Sequence, residues 1–183
     1  MELNECRVFV CVPAVGKSHL ASQNDNFIDM DEMKARYKYA QETNSEKEIE
    51  WLKGNRGKAV RTDTLQYIEN KTKEYLASTD KILLFAPNKE IVEMICRNNI
   101  PYCLVFHDKD CIKEIEERMR KRGNQENFIR AMIDPIDEFY QASISDTRPS
   151  LKIELHAGEY LADIFKDPQR FSSRIVIPED KEI

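Results

Sequence analysis

The sequence predicts an α/β domain with a short, mainly parallel sheet flanked by helices, and three observations lead there. Apolar, β-branched runs recur at residues 6–12, 26–30, 81–86 and 101–107, each shorter than an ordinary helix. Polar, helix-favouring stretches separate them, so successive strands are joined by crossovers rather than hairpins. The first run breaks at Pro13-Ala14-Val15-Gly16, and Lys17-Ser18-His19-Leu20-Ala21-Ser22 then opens a helix, the strand–turn–helix order of a βαβ unit.

Taken in order, residues 6–12 make a buried strand, 17–22 begin a helix, and 26–30 make a second strand. Residues 31–76 are long and polar, and Gly54-Asn55-Arg56-Gly57 divides them into two or more helices. The third strand, 81–86, ends in a Pro-Asn turn. Residues 89–98 are helical with Ile91, Val92, Met94 and Ile95 inward, and Asn98-Asn99 stops them before a fourth strand at 101–107. A charged helix at 111–122 ends at Gly123-Asn124, and one amphipathic helix covers 126–141. A strand at 151–155, a helix near 158–165 and an edge strand at 174–177 precede a charged tail. With no internal repeat or low-complexity segment, a single domain over 1–183 is expected, its last stretch, 167–183, supplying the edge strand and tail.

Composition narrows the partners. The chain carries 33 acidic and 28 basic residues, a formal charge of -5, which gives no overall attraction for nucleic acid or anionic lipid. No apolar run approaches the roughly 20 residues of a membrane span, and the first residues lack a basic, apolar secretory leader. Cys6, Cys11, Cys96, Cys103 and Cys111 form no CxxC pair, an odd set that suits reduced thiols. A soluble, cytoplasmic protein with no membrane partner is the expectation.

The most informative segment is Cys11-Val12-Pro13-Ala14-Val15-Gly16-Lys17-Ser18, which follows the phosphate-loop pattern G-x-x-x-x-G-K-[ST] except that Cys11 stands at the first glycine. In that pattern Gly16 lets the backbone curl around phosphate without a Cβ. The N–H groups of Pro13-Ala14-Val15-Gly16-Lys17-Ser18-His19 and the following helix start supply partial positive charge, excepting the proline nitrogen. Lys17 neutralises the outer phosphates of ATP, and Ser18 offers a hydroxyl to Mg²⁺.

Two further segments fit around that loop. In Phe27-Ile28-Asp29-Met30-Asp31-Glu32, strand alternation puts Asp29 and Asp31 on one side near the carboxyl end of the sheet. One can take a proton from a hydroxyl acceptor and the other organise Mg²⁺, with Asp29 and Ser18 the metal candidates; Asp31 also fits a helix N-cap. In Glu116-Glu117-Arg118-Met119-Arg120-Lys121-Arg122-Gly123-Asn124, Arg118 and Arg122 share a helix face and suit a basic lid over transferring phosphate. Glu114–Arg118 and Glu117–Lys121 pairs on a solvated helix are the plainer account. The third strand, Leu83-Leu84-Phe85-Ala86-Pro87-Asn88, lacks a following acid for Mg²⁺.

Together, VFVCVPAVGKSHL, FIDMDEMK, CLVFHDKD, RMRKRGNQENFI and HAGEYLADIF resemble the small P-loop nucleotide and polynucleotide kinases, particularly the compact kinases encoded by bacteriophages. The resemblance implies a P-loop NTPase-like three-layer sandwich, with an acceptor-binding insertion at about 32–77 and a helical lid at about 111–127. It implies ATP and Mg²⁺ as cofactors, and the host cytoplasm as location. By it Lys17 and Ser18 handle nucleotide phosphate and metal, Asp31 or Asp29 takes the acceptor-base or metal-organising position, and Arg118 and Arg122 are lid arginines. Tyr37, Tyr39, Trp51 and Arg61 are acceptor-side candidates, with core packing an equal account of Trp51. His107 and Asp108 lie near the ligand edge, where a strand-ending turn explains them equally well.

The function expected is transfer of the γ-phosphoryl group of ATP to a nucleoside monophosphate or related nucleotide. Phosphorylation of DNA or RNA ends, or of modified bases in DNA, is a variant that the negative net charge disfavours. An ATP-binding regulatory protein with weakened catalysis is the non-enzyme alternative. The oligomeric state is not legible.

Overall fold

The computed structural model describes residues 2–31, 65–78 and 80–176. Among the described residues, six strands form one sheet in the order β2-β3-β1-β4-β5-β6. They are β1 (Val8–Cys11), β2 (Phe27–Asp29), β3 (Ile82–Phe85), β4 (Cys103–His107), β5 (Leu151–Leu155) and β6 (Ile175–Val176). The first five are mutually parallel, and β6 closes one edge antiparallel to β5. All four residues of β1 and all five of β4 are buried, as expected of parallel strands covered on both faces.

The described helices are α1 (Lys17–Gln23), α2 (Leu65–Ala77), α3 (Lys89–Arg97), α4 (Ile112–Lys121), α5 (Glu126–Ile133), α6 (Ile136–Ser145), α7 (Leu161–Lys166) and α8 (Pro168–Phe171). Strand alternation sorts the core into two layers. Phe9, Cys11, Cys103, Val105, Ile153 and Leu155 pack with Leu20 of α1 and Leu161 and Ile164 of α7. Val8, Val10, Leu83, Phe85, Leu104 and Phe106 pack on the other face with Ile68 of α2 and Ile91, Val92, Met94 and Ile95 of α3. Helices thus cover both faces, an arrangement compatible with a three-layer sandwich. A third cluster, with Ala14, Cys111, Ile115, Met119 and Ile129, ties α4 and α5 to the loop after β1.

The elements expected from the sequence occur with three corrections. The single amphipathic helix at 126–141 is two, because Pro135 supplies no N–H and divides α5 from α6. The late helix begins only at Leu161; residues 156–160 form a loop in which Gly158 takes φ 81. The edge strand starts at Ile175, not at Arg174, which lies in a 3-10 turn, and its described part is Ile175–Val176. Of the polar stretch 31–76, α2 is described, and its Gly54–Gly57 turn lies outside the described residues, as does the tail from 177 on. No helix among the described residues is long and apolar enough to cross a membrane.

Candidate functional site

β1 sends its following helix to one face of the sheet, whereas β3 sends α3 to the other. Opposed connections of this kind leave a crevice at the carboxyl ends of the strands, and the loop at 12–16 lies there. Val12 continues the ladder by donating its N–H to the Val105 carbonyl at 3.1 Å. The chain then turns sharply, with Ala14 at φ 68 and Gly16 at φ 93. Gly16 is required twice over, since its φ suits glycine and a Cβ there would meet the Tyr160 ring at 3.2 Å. Ala14 bears the less favourable left-handed geometry, a cost of about 1 kcal/mol that its buried packing offsets. Cys11 stands one turn earlier, fully buried in β1 and paired with Val105. Since the chain is still in the sheet at 11, the backbone freedom of a first glycine is not used there. Burial raises the Cys11 thiol far above its ordinary range, with Lys17 opposing, so it is an inert core group.

Lys17 opens α1 and points back across the crevice. Its Nζ donates to Asp29 Oδ1 and Asp31 Oδ2, each at 2.6 Å. Ser18 Oγ donates to Asp29 Oδ2 at 2.7 Å. The Asp31 N–H donates to Asp29 Oδ1 at 3.1 Å, and the Ala86 N–H donates to Asp31 Oδ2 at 2.7 Å. Asp31, from the turn after the neighbouring β2, thus stands at the end of β3, where Ala86-Pro87-Asn88 carries no acid. The Asp29 side chain is 2% exposed, Lys17 14% and Asp31 22%. Burial works against the Lys17 ammonium, but Asp31 and Asp29 more than offset it and hold its pKa above the ordinary value. His19, included among the phosphate-loop candidates, is exposed on α1.

The two lid candidates part company. Arg118, with its side chain 10% exposed, turns inward from α4. It donates to the Ala14 carbonyl at 3.2 Å, the Glu159 carbonyl at 3.0 Å and Glu114 at 2.6 Å. Its guanidinium also lies 3.8 Å from the Tyr160 ring centroid. It fastens the loop at 12–16 to the loop at 156–160, and the Leu161 N–H reinforces the join by donating to the Val15 carbonyl at 2.8 Å. Arg122 caps the end of α4, exposed. Arg120 binds Glu116 and Glu126, as a solvated helix does.

Sequence reasoning missed the residues that support this join. Glu159 is buried beneath the 156–160 loop, where Arg174, Arg170 and the His156 N–H converge on it, and these partners hold its carboxyl down to about 2. Tyr160 covers Gly16. A charged residue beside an isolated glycine, as in Ala157-Gly158-Glu159, was the available signal. Asp108, Glu154 and His156, at the ends of β4 and β5, each bring one ligand atom within 4.8 Å of the others. His107 is buried at the end of β4, its ring nitrogens closed off from solvent and the Pro13 backbone beside them. Tyr37, Tyr39, Trp51 and Arg61 lie outside the described residues.

No protein-family model matches the chain and no curated protein matches it, so the functional reading rests on this geometry.

Proposed function

We propose that the chain is an ATP-dependent phosphotransferase whose acceptor is a nucleoside monophosphate or related nucleotide. The observation that carries this reading is the Lys17 ammonium, held between Asp29 and Asp31 beside a positive-φ turn at the carboxyl ends of parallel strands. A polyanion entering the crevice meets backbone N–H groups, the start of α1 and a lysine whose present carboxylate partners phosphate can replace. Ser18 Oγ and Asp29, 2.7 Å apart, form the all-oxygen donor set that Mg²⁺ prefers. When bound, that ion neutralises charge on the phosphates.

In the transfer, the bond from the γ-phosphorus to the ADP oxygen breaks and a bond to the acceptor oxygen forms. In this reading Lys17 steadies the charge on the phosphates, and Asp31, the more open of the two carboxylates, serves the acceptor. Where the acceptor is a hydroxyl, Asp31 is placed to take its proton. Arg122 is the exposed cation of the expected lid; Arg118 holds the loop in shape.

Mg²⁺-ATP turnover across all ribo- and deoxynucleoside monophosphates, and across DNA and RNA ends, tests the reading. ADP formation should depend on a particular nucleotide acceptor and fall at least 100-fold in Lys17→Ala. ADP production that no acceptor stimulates, or that Lys17→Ala leaves intact, overturns it. Commitment of Arg118 to backbone carbonyls favours one second reading, a nucleotide-binding regulator with weak turnover. Tight ATP binding without transfer to any acceptor would identify that class.

A further inference from the structure

Asp108, Glu154 and His156 meet at the carboxyl ends of β4 and β5, across β1 from Asp29. One ligand atom of each lies within 4.8 Å of the other two. The sheet register produces this convergence. Phe106 pairs with Glu154 and His107 with Leu155, so Asp108 and His156 follow as the next neighbours, and the strand period brings Glu154 and His156 to one side. Backbone bonds hold the two outer positions: the Asp108 N–H donates to the Leu155 carbonyl and the His156 N–H to Glu159 Oε2, each at 2.8 Å. From α6, the Tyr140 hydroxyl interacts with the Glu154 carboxylate.

Charge pairing sets this group apart. Among the described residues, every other buried or half-buried carboxylate has a lysine or arginine nitrogen within 2.8 Å, except Asp163, which is 3.8 Å from Lys166. Asp108 and Glu154 are half-buried, and no described lysine or arginine forms an ion pair with either. Arg174 commits its guanidinium to Glu159 and to the Glu154 main-chain carbonyl, and acts on the Glu154 carboxylate only at longer range. Two carboxylates drawn together away from bulk water repel each other unless a cation joins them. The imidazole selects which cation. Carboxylates alone suit Mg²⁺ or Ca²⁺, whereas an imidazole nitrogen beside them suits Zn²⁺ and its neighbours in the transition series. Three protein ligands, with water completing the shell, are enough for an open zinc site. Ligands about 2.0–2.2 Å from one ion lie at most about 4.4 Å apart, so a few tenths of an ångström of side-chain movement closes the set.

We propose that Asp108, Glu154 and His156 bind one divalent transition ion, Zn²⁺ in preference to Mg²⁺, which ties the end of β4 to the end of β5. The site is independent of the phosphotransferase reading, whose Mg²⁺ candidates, Ser18 and Asp29, lie across β1 from it.

The test titrates the full chain, freed of metal with a chelator and kept reduced, with Zn²⁺ and separately with Mg²⁺ in a calorimeter. One Zn²⁺ should bind per chain and raise the melting temperature in wild type and in Lys17→Ala alike. Cys96→Ser, which removes the one cysteine that is not buried, should bind equally well. His156→Ala and Asp108→Asn should each weaken Zn²⁺ by at least about tenfold and abolish its effect on melting. The His156 side chain is exposed, so its loss leaves the fold in place. With ¹⁵N-labelled histidines, Zn²⁺ should move the His156 ring signals and leave those of exposed His19 unchanged. The proposal is overturned if Zn²⁺ does not bind, if it binds His156→Ala as tightly as wild type, or if Mg²⁺ binds the site as tightly as Zn²⁺.

Discussion

Two charged clusters flank the same loop, and they use their charges differently. On the β2 side, Lys17, Asp29, Asp31 and Ser18 bond mainly to one another. On the β5 side, Arg118 grips two backbone carbonyls, and Glu159 is clasped by Arg170, Arg174 and the His156 N–H. A phosphate can exchange for Asp29 or Asp31 at Lys17, because the lysine gains as strong a partner as it gives up. No anion can take Arg118 without releasing the loop it holds. In the proposed function one cluster is re-partnered and the other stays closed. A cation beside the 12–16 loop therefore differs from its neighbour through what it already holds, more than through its charge.

The largest expected effect breaks the first cluster. Beyond the loss of turnover, Lys17→Ala leaves the nearly buried Asp29 carboxylate without its cation. We expect about 2 kcal/mol of lost stability, read from urea unfolding. Adding Asp29→Asn should return most of that stability and none of the turnover. Recovery of both together would mean that Lys17 acts through the fold and not on the nucleotide.

Acid unfolding separates the second cluster from His107. The Glu159 carboxyl lies at about 2 in the fold against an ordinary 4.5. Its folded pKa is depressed, so its stabilising effect is complete above 4.5 and is lost as pH falls from there to about 2, a change of about 3 kcal/mol. His107 is also depressed, from 6.5 to about 4, because burial and Arg118 disfavour its charged form. The unfolded chain takes up that proton first, so stability falls as pH drops through 6.5 toward 4, by a similar amount. Melting temperature against pH should show both windows. Glu159→Gln should flatten the lower one and His107→Phe the upper one; a variant that leaves its own window unchanged contradicts the assignment.

The fold was largely legible because its strands are short apolar runs punctuated by proline, glycine and asparagine, a pattern set locally. Lys17, Asp29 and Asp31 were legible for the same reason: Asp29 ends β2, Asp31 lies two residues beyond it, and Lys17 opens α1 after the loop that leaves β1. The 156–160 loop was not, since nothing local in His156-Ala157-Gly158-Glu159-Tyr160 says that it packs on Gly16, 142 positions upstream of Gly158. His107 read equally as a ligand-edge and as a strand-ending residue, and only tertiary packing shows its ring sealed from solvent. The break at Pro135 was readable, and the helical periodicity on both sides of it concealed the boundary.

Arg118 and Arg122 supply the smallest and sharpest contrast, because the sequence treats them alike. They sit one helical turn apart with the same side chain. Arg118→Ala removes two bonds to carbonyls, the Glu114 pair and the stack on Tyr160, so a loss of about 2 kcal/mol is expected in urea unfolding. Arg118→Lys should rescue little of it, since an ammonium cannot span those acceptors as a planar fork does. Arg122→Ala, at an exposed helix end, should change stability by less than about 0.5 kcal/mol. If Arg122 reaches transferring phosphate, that same variant lowers kcat while leaving the melting curve in place. The two arginines would then exchange rank between the two measurements, with Arg118 ahead in stability and Arg122 ahead in stability-corrected turnover. Equal losses of stability at both positions would dissolve the distinction between a clamp and a lid.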